Sequence, residues 1–273
     1  MIIAEENHSY GELIGNSRAP FLNKLATTYA SATNFYAGYP VHCPSLAAYI
    51  LMTSGTTGGI CDDRAPKAHP LAGPNIFQQV ADSGRQWRGY AESSPGNCAR
   101  LDGDNGRYLV RHVPATYYLS ERERCAEGVV PLGDSSSGAL HDAVAGGALP
   151  AFSYVTPDAC HDMHGADPCD ERLVVQADQW LATWLPQIMA GPDYTSGHLV
   201  VIVTWDEGSR IDNHIPTIVV APQARGIAYT GKLDHCSTLR TVEDLLDLPT
   251  LGCATAAPSM VPAMHLAPAA NRR

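Results

Sequence analysis

Two separated stretches of this chain share one pattern: a run of apolar, largely β-branched residues that breaks directly into paired acids. Met1-Ile2-Ile3-Ala4 is followed by Glu5-Glu6, and Leu199-Val200-Val201-Ile202-Val203-Thr204-Trp205 is followed by Asp206-Glu207. An apolar run without alternation is the mark of a strand buried on both faces, as in a parallel sheet covered by helices. Charge at the mouth of such a strand is costly unless something binds there. Ligands of open α/β sheets gather beyond the carboxyl ends of the strands. Glu6 and Asp206 are therefore expected on one rim.

The rest of the chain supports that architecture. Residues 215–221, Ile-Pro-Thr-Ile-Val-Val-Ala, read as a second buried parallel strand. Leu173 to Ile188 places apolar residues at helical intervals, and Thr238 to Asp247 reads as a helix stopped by Leu248-Pro249. Strands alternating with helices predict an α/β fold, a doubly wound and mostly parallel sheet with helices on both faces. One domain over residues 1–273 accommodates all of it. The stretch from about 60 to 150, rich in Gly, Pro, Ser and Asp, reads as a loop-rich cap inserted over the rim. The Ala/Pro-rich tail after Pro258 reads as poorly ordered.

Composition excludes some functions. A net charge of -10 speaks against a nucleic-acid partner, whose phosphates demand basic groups. No apolar run is long enough to span a bilayer, so no integral membrane association is expected. Eight cysteines without a CxxC pair suggest disulfides and an oxidising compartment. Spacing does not fix their pairing; sequence neighbours are expected to join, as Cys43–Cys61, Cys98–Cys125, Cys160–Cys169 and Cys236–Cys253. A secreted or periplasmic location follows from the cysteines alone, since no signal peptide is visible and export information is expected to have been removed or to lie upstream.

The polar residues cluster by chemistry. Glu6-Asn7, Ser45 before the apolar run Ala47 to Met52, and Asp206-Glu207 offer oxygen ligands suited to a hard divalent cation, Mg, Ca, Mn or Zn. Carboxylates crowded on a rim repel one another until a cation neutralises them. A metal-bound serine hydroxyl ionises more readily and becomes a nucleophile. A helix starting after Ser45 would aim its amides at an anion. Histidines at 112, 164, 214 and 235, with Asp162, supply further polar groups.

These residues carry a resemblance. Glu6-Asn7-His8-Ser9-Tyr10, Pro44-Ser45-Leu46 with Tyr49 and Thr53-Ser54-Gly55, Asp206-Glu207-Gly208, and Asp234-His235 with Ser237, Leu239-Arg240-Thr241 and Glu243-Asp244 resemble, in order, the phosphoesterase family. That family holds acid phosphatases and bacterial phospholipases C within the alkaline phosphatase-like superfamily. The resemblance implies metal ligation by Glu6, Asn7, Asp206 and Glu207, with Ser45 as nucleophile and ligand. Asp162 and His164 match an Asp-Met-His element, and Arg111-His112-Val113-Pro114 resembles a Lys/Arg-His-Asn-Pro segment in which Val113 replaces Asn. Ala47 and Ala48 stand where many relatives have Pro and Asn. The expected activity is a phosphomonoesterase acting on a small phosphate ester through a phosphoserine. His112 or His164 is expected to protonate the leaving group, and Asp162, His214 and His235 to face substrate. The alternatives are a phosphodiesterase or phospholipase C, and a non-catalytic secreted metal-binding module.

Overall fold

A computed structural model describes residues 1–267 except Val41, Pro168 and Arg210. Ten strands follow in chain order: β1 (Ile2–Glu5), β2 (Ala30–Ala32), β3 (Phe35–Tyr36), β4 (Trp87–Ala91), β5 (Val129–Pro131), β6 (Phe152–Thr156), β7 (Val201–Trp205), β8 (Thr217–Val220), β9 (Ile227–Tyr229) and β10 (Leu233–Asp234). Eight form one sheet in the order β5-β4-β6-β1-β7-β8-β2-β9, and β3 pairs with β10 separately. The three central strands β6, β1 and β7 are parallel and entirely buried.

One expectation needs correction. β8, the core of the second apolar run, is antiparallel to both β7 and β2. Its unbroken hydrophobicity reports burial on two faces, which central strands of either orientation share, so it does not specify direction.

Helices lie on both faces. Leu46–Ser54, Ile76–Asp82 and His235–Leu246 cover the side carrying Phe152 and Tyr154, where Phe77 packs on Phe152 and Tyr49 on Tyr154. Pro20–Thr28 and Leu173–Ala190 pack together on the other side. Asp178 of the longer helix accepts the backbone N–H groups of Phe21 and Leu22, satisfying free donors at the first turn of its neighbour. Leu173–Ala190 buries Ala177, Trp180, Leu181, Trp184, Leu185 and Ile188, the spacing that made it legible.

Residues 60–150, expected as a cap insertion, contribute β4 and β5 to the sheet edge beyond β6. The segment between them, 92–128, is loops and short helical turns, one of which carries His112 to the rim. The tail also departs from expectation: Met260–Ala263 is helical and contacts His235–Leu246, while residues 268–273 lie outside the described part.

All eight cysteines pair, each with its sequence neighbour: Cys43–Cys61, Cys98–Cys125, Cys160–Cys169 and Cys236–Cys253. Such a set fits an extracellular or periplasmic protein. Among the described residues no helix is long and apolar enough to cross a membrane.

Candidate active site

Strand register builds the site. β1 and β7 pair in parallel with Glu5 beside Trp205, so Glu6 and Asp206 leave adjacent strands at the same level. The two turns hold each other: Asp206 N–H donates to the Glu5 carbonyl at 2.9 Å, and Asn7 N–H to Asp206 Oδ1 at 3.2 Å. Asn7 takes φ +49°, a left-handed conformation that asparagine tolerates better than most residues. Glu5 itself ends the strand on the opposite face, since successive strand side chains alternate.

Ser45 begins the helix Leu46–Ser54, yet its hydroxyl does not cap that helix. It points at the acids instead, 3.0 Å from Glu6 Oε2 and 3.4 Å from Glu207 Oε1. The helix is held at its far end by Gly55, whose φ of +72° and contact with the Leu251 carbonyl leave no room for a Cβ. Tyr49, one helical turn beyond Ser45, donates to Glu6 Oε1 at 2.6 Å, and Tyr39 donates to Glu207 Oε2 at 2.6 Å. Glu6, Asp206 and Ser45 are buried.

His112 closes the other flank. Its Nε2 lies 3.0 Å from Glu6 Oε1 and its Nδ1 3.1 Å from Asp162 Oδ2, with the ring stacked on Tyr49. Burial lowers the imidazole pKa well below its usual value. Burial and mutual repulsion raise Glu6 and Asp206 well above the carboxylate range, and burial does the same to Asp162. A neutral imidazole has one donor and one acceptor. Nδ1 is hydrogen-bonded to Asp162, whereas Nε2 lies at contact distance from Glu6 without hydrogen-bond geometry to any described residue. The metal-free cluster therefore shares protons where a cation would otherwise supply the charge.

The donor set fits a divalent ion on one further ground. Asp206 Oδ2 is buried without a hydrogen-bond partner among the described residues, on a group whose other oxygen is already engaged. An unmatched carboxylate oxygen beside Glu6 and Glu207 is the environment a hard cation satisfies. Glu6, His112 and His164 also place ligand atoms close enough together to share an ion.

The residues expected to face substrate behave otherwise. Asp162 is fully buried behind His112 and accepts His164 N–H at 2.7 Å, so it orients the imidazole. His235 is fully buried, with Nε2 directed at the Asp206 carbonyl, and braces the acidic turn from within. His214 is sandwiched between Tyr10 and Tyr36, and its Nε2 faces the Thr33 carbonyl. Asp162 and His235 therefore sit one layer behind the oxygen cluster, a depth that sequence order does not encode, and His214 is half-buried between its two tyrosines.

His164 is half-buried, with Nδ1 2.6 Å from the Gly165 carbonyl and Nε2 3.1 Å from Arg111 Nη2. The carbonyl requires Nδ1 to carry the hydrogen, which leaves Nε2 to accept from the guanidinium. Burial lowers the pKa of this histidine. Arg111 and Tyr49 stood in the quoted motifs without an assigned role, whereas Asp63, which accepts Leu46 N–H at 3.0 Å and lies 3.4 Å from Arg111, and the phenol of Tyr39 were not anticipated.

Comparison with known proteins agrees with this geometry. The chain is 31% identical over 259 residues to the phosphatidylinositol-3-phosphatase of Mycobacterium tuberculosis, covering 94% of this chain and 80% of that one. It is 25% identical to a probable acid phosphatase of Kluyveromyces lactis, covering 92% of this chain and 58% of the yeast protein. A solved alkaline phosphatase superfamily protein from Vibrio parahaemolyticus superposes with a TM-score of 0.62 at 14% identity, over 94% of this chain and 69% of that one. That likeness establishes the fold. The sequence profile of the Phosphoesterase family matches residues 15–249, a span that includes Ser45 and Asp206-Glu207, and the chain belongs to that family of phosphoric ester hydrolases.

Proposed function

We propose that this protein is a metal-dependent phosphomonoesterase that works through a phosphoserine on Ser45. One observation carries the reading: Ser45 Oγ lies within 3.4 Å of acids from two adjacent strand ends, Glu6 and Glu207, without capping its own helix. A divalent cation held by Glu6, Asn7, Asp206 and Glu207 would lower the Ser45 pKa and neutralise charge on the transferring phosphoryl group.

The chain's own groups do the rest. Ser45 Oγ forms a bond to phosphorus as the bond to the leaving alkoxide breaks, and its proton passes to one of the carboxylates beside it, Glu6 or Glu207. Tyr49, Tyr39 and His112 hold Glu6 and Glu207 in place for that transfer. The helix behind Ser45 favours the anion at its N-terminus, and Arg111 lies in reach of the same region. His164 keeps its hydrogen on Nδ1 against the Gly165 carbonyl and accepts from Arg111 at Nε2, so it positions the guanidinium, and the leaving alkoxide takes its proton from the water that enters behind it. His112, hydrogen-bonded to Asp162 through Nδ1 and with Nε2 3.0 Å from Glu6, positions Glu6. The hydroxide so formed attacks phosphorus from the vacated side, phosphate leaves, and the carboxyl that took the Ser45 proton returns it.

The substrate class is a phosphate monoester. The mycobacterial relative is named for a lipid headgroup monoester, which places phosphatidylinositol 3-phosphate in the test panel beside p-nitrophenyl phosphate, bis-p-nitrophenyl phosphate and phosphatidylcholine. Turnover of the monoesters, and a phosphate adduct on Ser45 in acid-quenched enzyme by mass spectrometry, are expected. Ser45→Ala should lose both while keeping its melting temperature. Near-normal hydrolysis by Ser45→Ala would overturn the nucleophile. Faster turnover of the diesters would move the protein to the phosphodiesterase reading, and metal binding without any turnover to a non-catalytic module.

A further inference from the structure

We propose that Asp63 is a resident competitor for the substrate phosphoryl group: its carboxylate occupies the anion seat between the Leu46 amide and the Arg111 guanidinium, and must yield that seat when phosphate binds. The proposal rests on the phosphomonoesterase reading and adds a binding determinant to it.

The geometry is that of an anion already bound. Asp63 Oδ1 accepts the first helical N–H after the nucleophile, Leu46, at 3.0 Å. Its Oδ2 lies 3.4 Å from Arg111 Nε. A helix N-terminal amide and a guanidinium flanking a serine nucleophile are what a phosphoryl group seeks. Here a carboxylate of the protein takes their place.

The fit to Arg111 is loose. Its Nε is buried and has no partner with hydrogen-bond geometry, so the Asp63 contact is a charge contact only. Arg111 would stay in position if Asp63 moved: Nη2 is fixed by His164 at 3.1 Å, and Nη1 lies 4.0 Å from Asp102 Oδ2. Asp102 is itself tied to Val110 N–H at 2.8 Å. The arginine side chain is 16% exposed and the Asp63 side chain 31% exposed, so the aspartate is the partner with a way out to water.

Asp63 is also tethered. It follows Cys61 by two residues, and Cys61 is bonded to Cys43, two residues before Ser45. A displaced carboxylate so held stays at high effective concentration beside the seat. It re-enters as inorganic phosphate leaves, which speeds product release at the expense of ground-state affinity.

Asp63→Asn tests this, because the amide oxygen still accepts from Leu46 while the competing charge is gone. The measurements are KM for p-nitrophenyl phosphate, the competitive Ki of inorganic phosphate, and the melting-temperature rise caused by inorganic phosphate. In Asp63→Asn, KM and Ki should fall by roughly five-fold or more, with a lower kcat and a larger phosphate-induced rise in melting temperature. Arg111→Ala should raise both constants, and Asp63→Asn should gain nothing in that background. If the Asn variant fails to fold, Asp63→Ser keeps a helix cap and should give the same sign. A folded variant whose phosphate Ki is unchanged or raised overturns the proposal, leaving Asp63 as a brace for Arg111. That failure is distinct from failure of the phosphatase reading, in which the wild type itself neither turns over monoesters nor binds phosphate.

Discussion

Tyr49 donates its hydroxyl hydrogen to Glu6 Oε1 at 2.6 Å, and so joins the helix that carries Ser45 to the strand that carries the first acid. Ser45, one turn earlier on the same helix, takes the other oxygen of Glu6 at 3.0 Å. One carboxylate thus fixes two positions of the segment 45–54, and Ser45, the proposed nucleophile, is placed by a contact outside its own turn. Tyr49→Phe should leave the fold intact, since the ring still packs on His112 and Tyr154. Outer hydrogen-bond partners of metal-binding groups usually matter by about 10- to 100-fold in affinity. Calorimetric titration with a divalent ion should show a loss of that order, with kcat falling more than KM rises. Unaltered metal affinity would mean that Tyr49 serves packing alone.

The raised carboxyls make metal binding and stability depend on pH in opposite senses. Glu6, Asp162 and Asp206 are all pushed above their usual range, so the folded metal-free protein holds protons that the unfolded chain has released. Native binding of more protons means that stability declines as pH rises above the ordinary carboxylate range. The melting temperature without metal should therefore fall as pH rises above the ordinary carboxylate range. A divalent ion must expel the same protons, so its affinity should rise over that interval and its binding should release protons to buffer. Asp206→Asn should flatten both trends. A metal affinity independent of pH would contradict the cluster's assignment as ligands.

Much of this was legible because two signals coincide. The apolar-then-acid pattern of Ile2–Glu6 and Val201–Glu207 located both halves of the oxygen cluster, since parallel neighbours in register deliver their following residues to one level. Ser45 was legible from the apolar run behind it. His112 and His164 were legible as neighbours of the acids, but the depth of Asp162, His235 and His214 was not, because a residue type reports titration chemistry and not burial: Asp162 and His235 are core groups, and His214 lies between two tyrosines. β4 was hidden by glycine, arginine and its Gly/Pro-rich flanks, so a real strand read as part of an insertion. Asp63 and Arg111 meet only through tertiary folding, on segments separated by the whole of β4.

The disulfide between Cys43 and Cys61 brackets the nucleophile segment, whereas Cys98–Cys125 staples a loop beside β5. Closing loops of 18 and 27 residues stabilises by about 3 kcal/mol each in the chain-entropy picture. Replacing either pair by serine should therefore lower stability to a similar degree in urea titrations. Their effects on turnover should differ. Loss of Cys43–Cys61 loosens Asp63 and the chain entering Ser45, and should change KM and kcat at a temperature where the protein is still folded. Loss of Cys98–Cys125 should leave both constants near wild type. Equal kinetic effects would show that the first bridge serves stability only.

Glu243 offers a pH effect remote from the oxygen cluster. It is buried on the helix His235–Leu246, and its Oε1 accepts Leu251 N–H at 2.8 Å, which anchors the turn against Gly55. Its Oε2 is buried without a partner. Burial pushes the carboxyl from 4.5 up to about 7, against the opposing pull of the Leu251 bond and Arg240. The folded protein therefore keeps this proton over an interval in which the unfolded chain has lost it. Stability associated with Glu243 is full below about pH 4.5, declines through about pH 7, and stays low above it. At about 1.4 kcal/mol per pKa unit, with part of the cost relieved by local rearrangement on ionisation, the loss is about 1 to 2 kcal/mol. Glu243→Gln keeps the acceptor for Leu251 and cannot ionise. Its unfolding free energy in urea should match wild type near pH 5 and exceed it by about 1 to 2 kcal/mol near pH 8. A difference between the two proteins that is the same at both pH values would mean that Glu243 does not titrate there, and that its second oxygen is satisfied in solution by water.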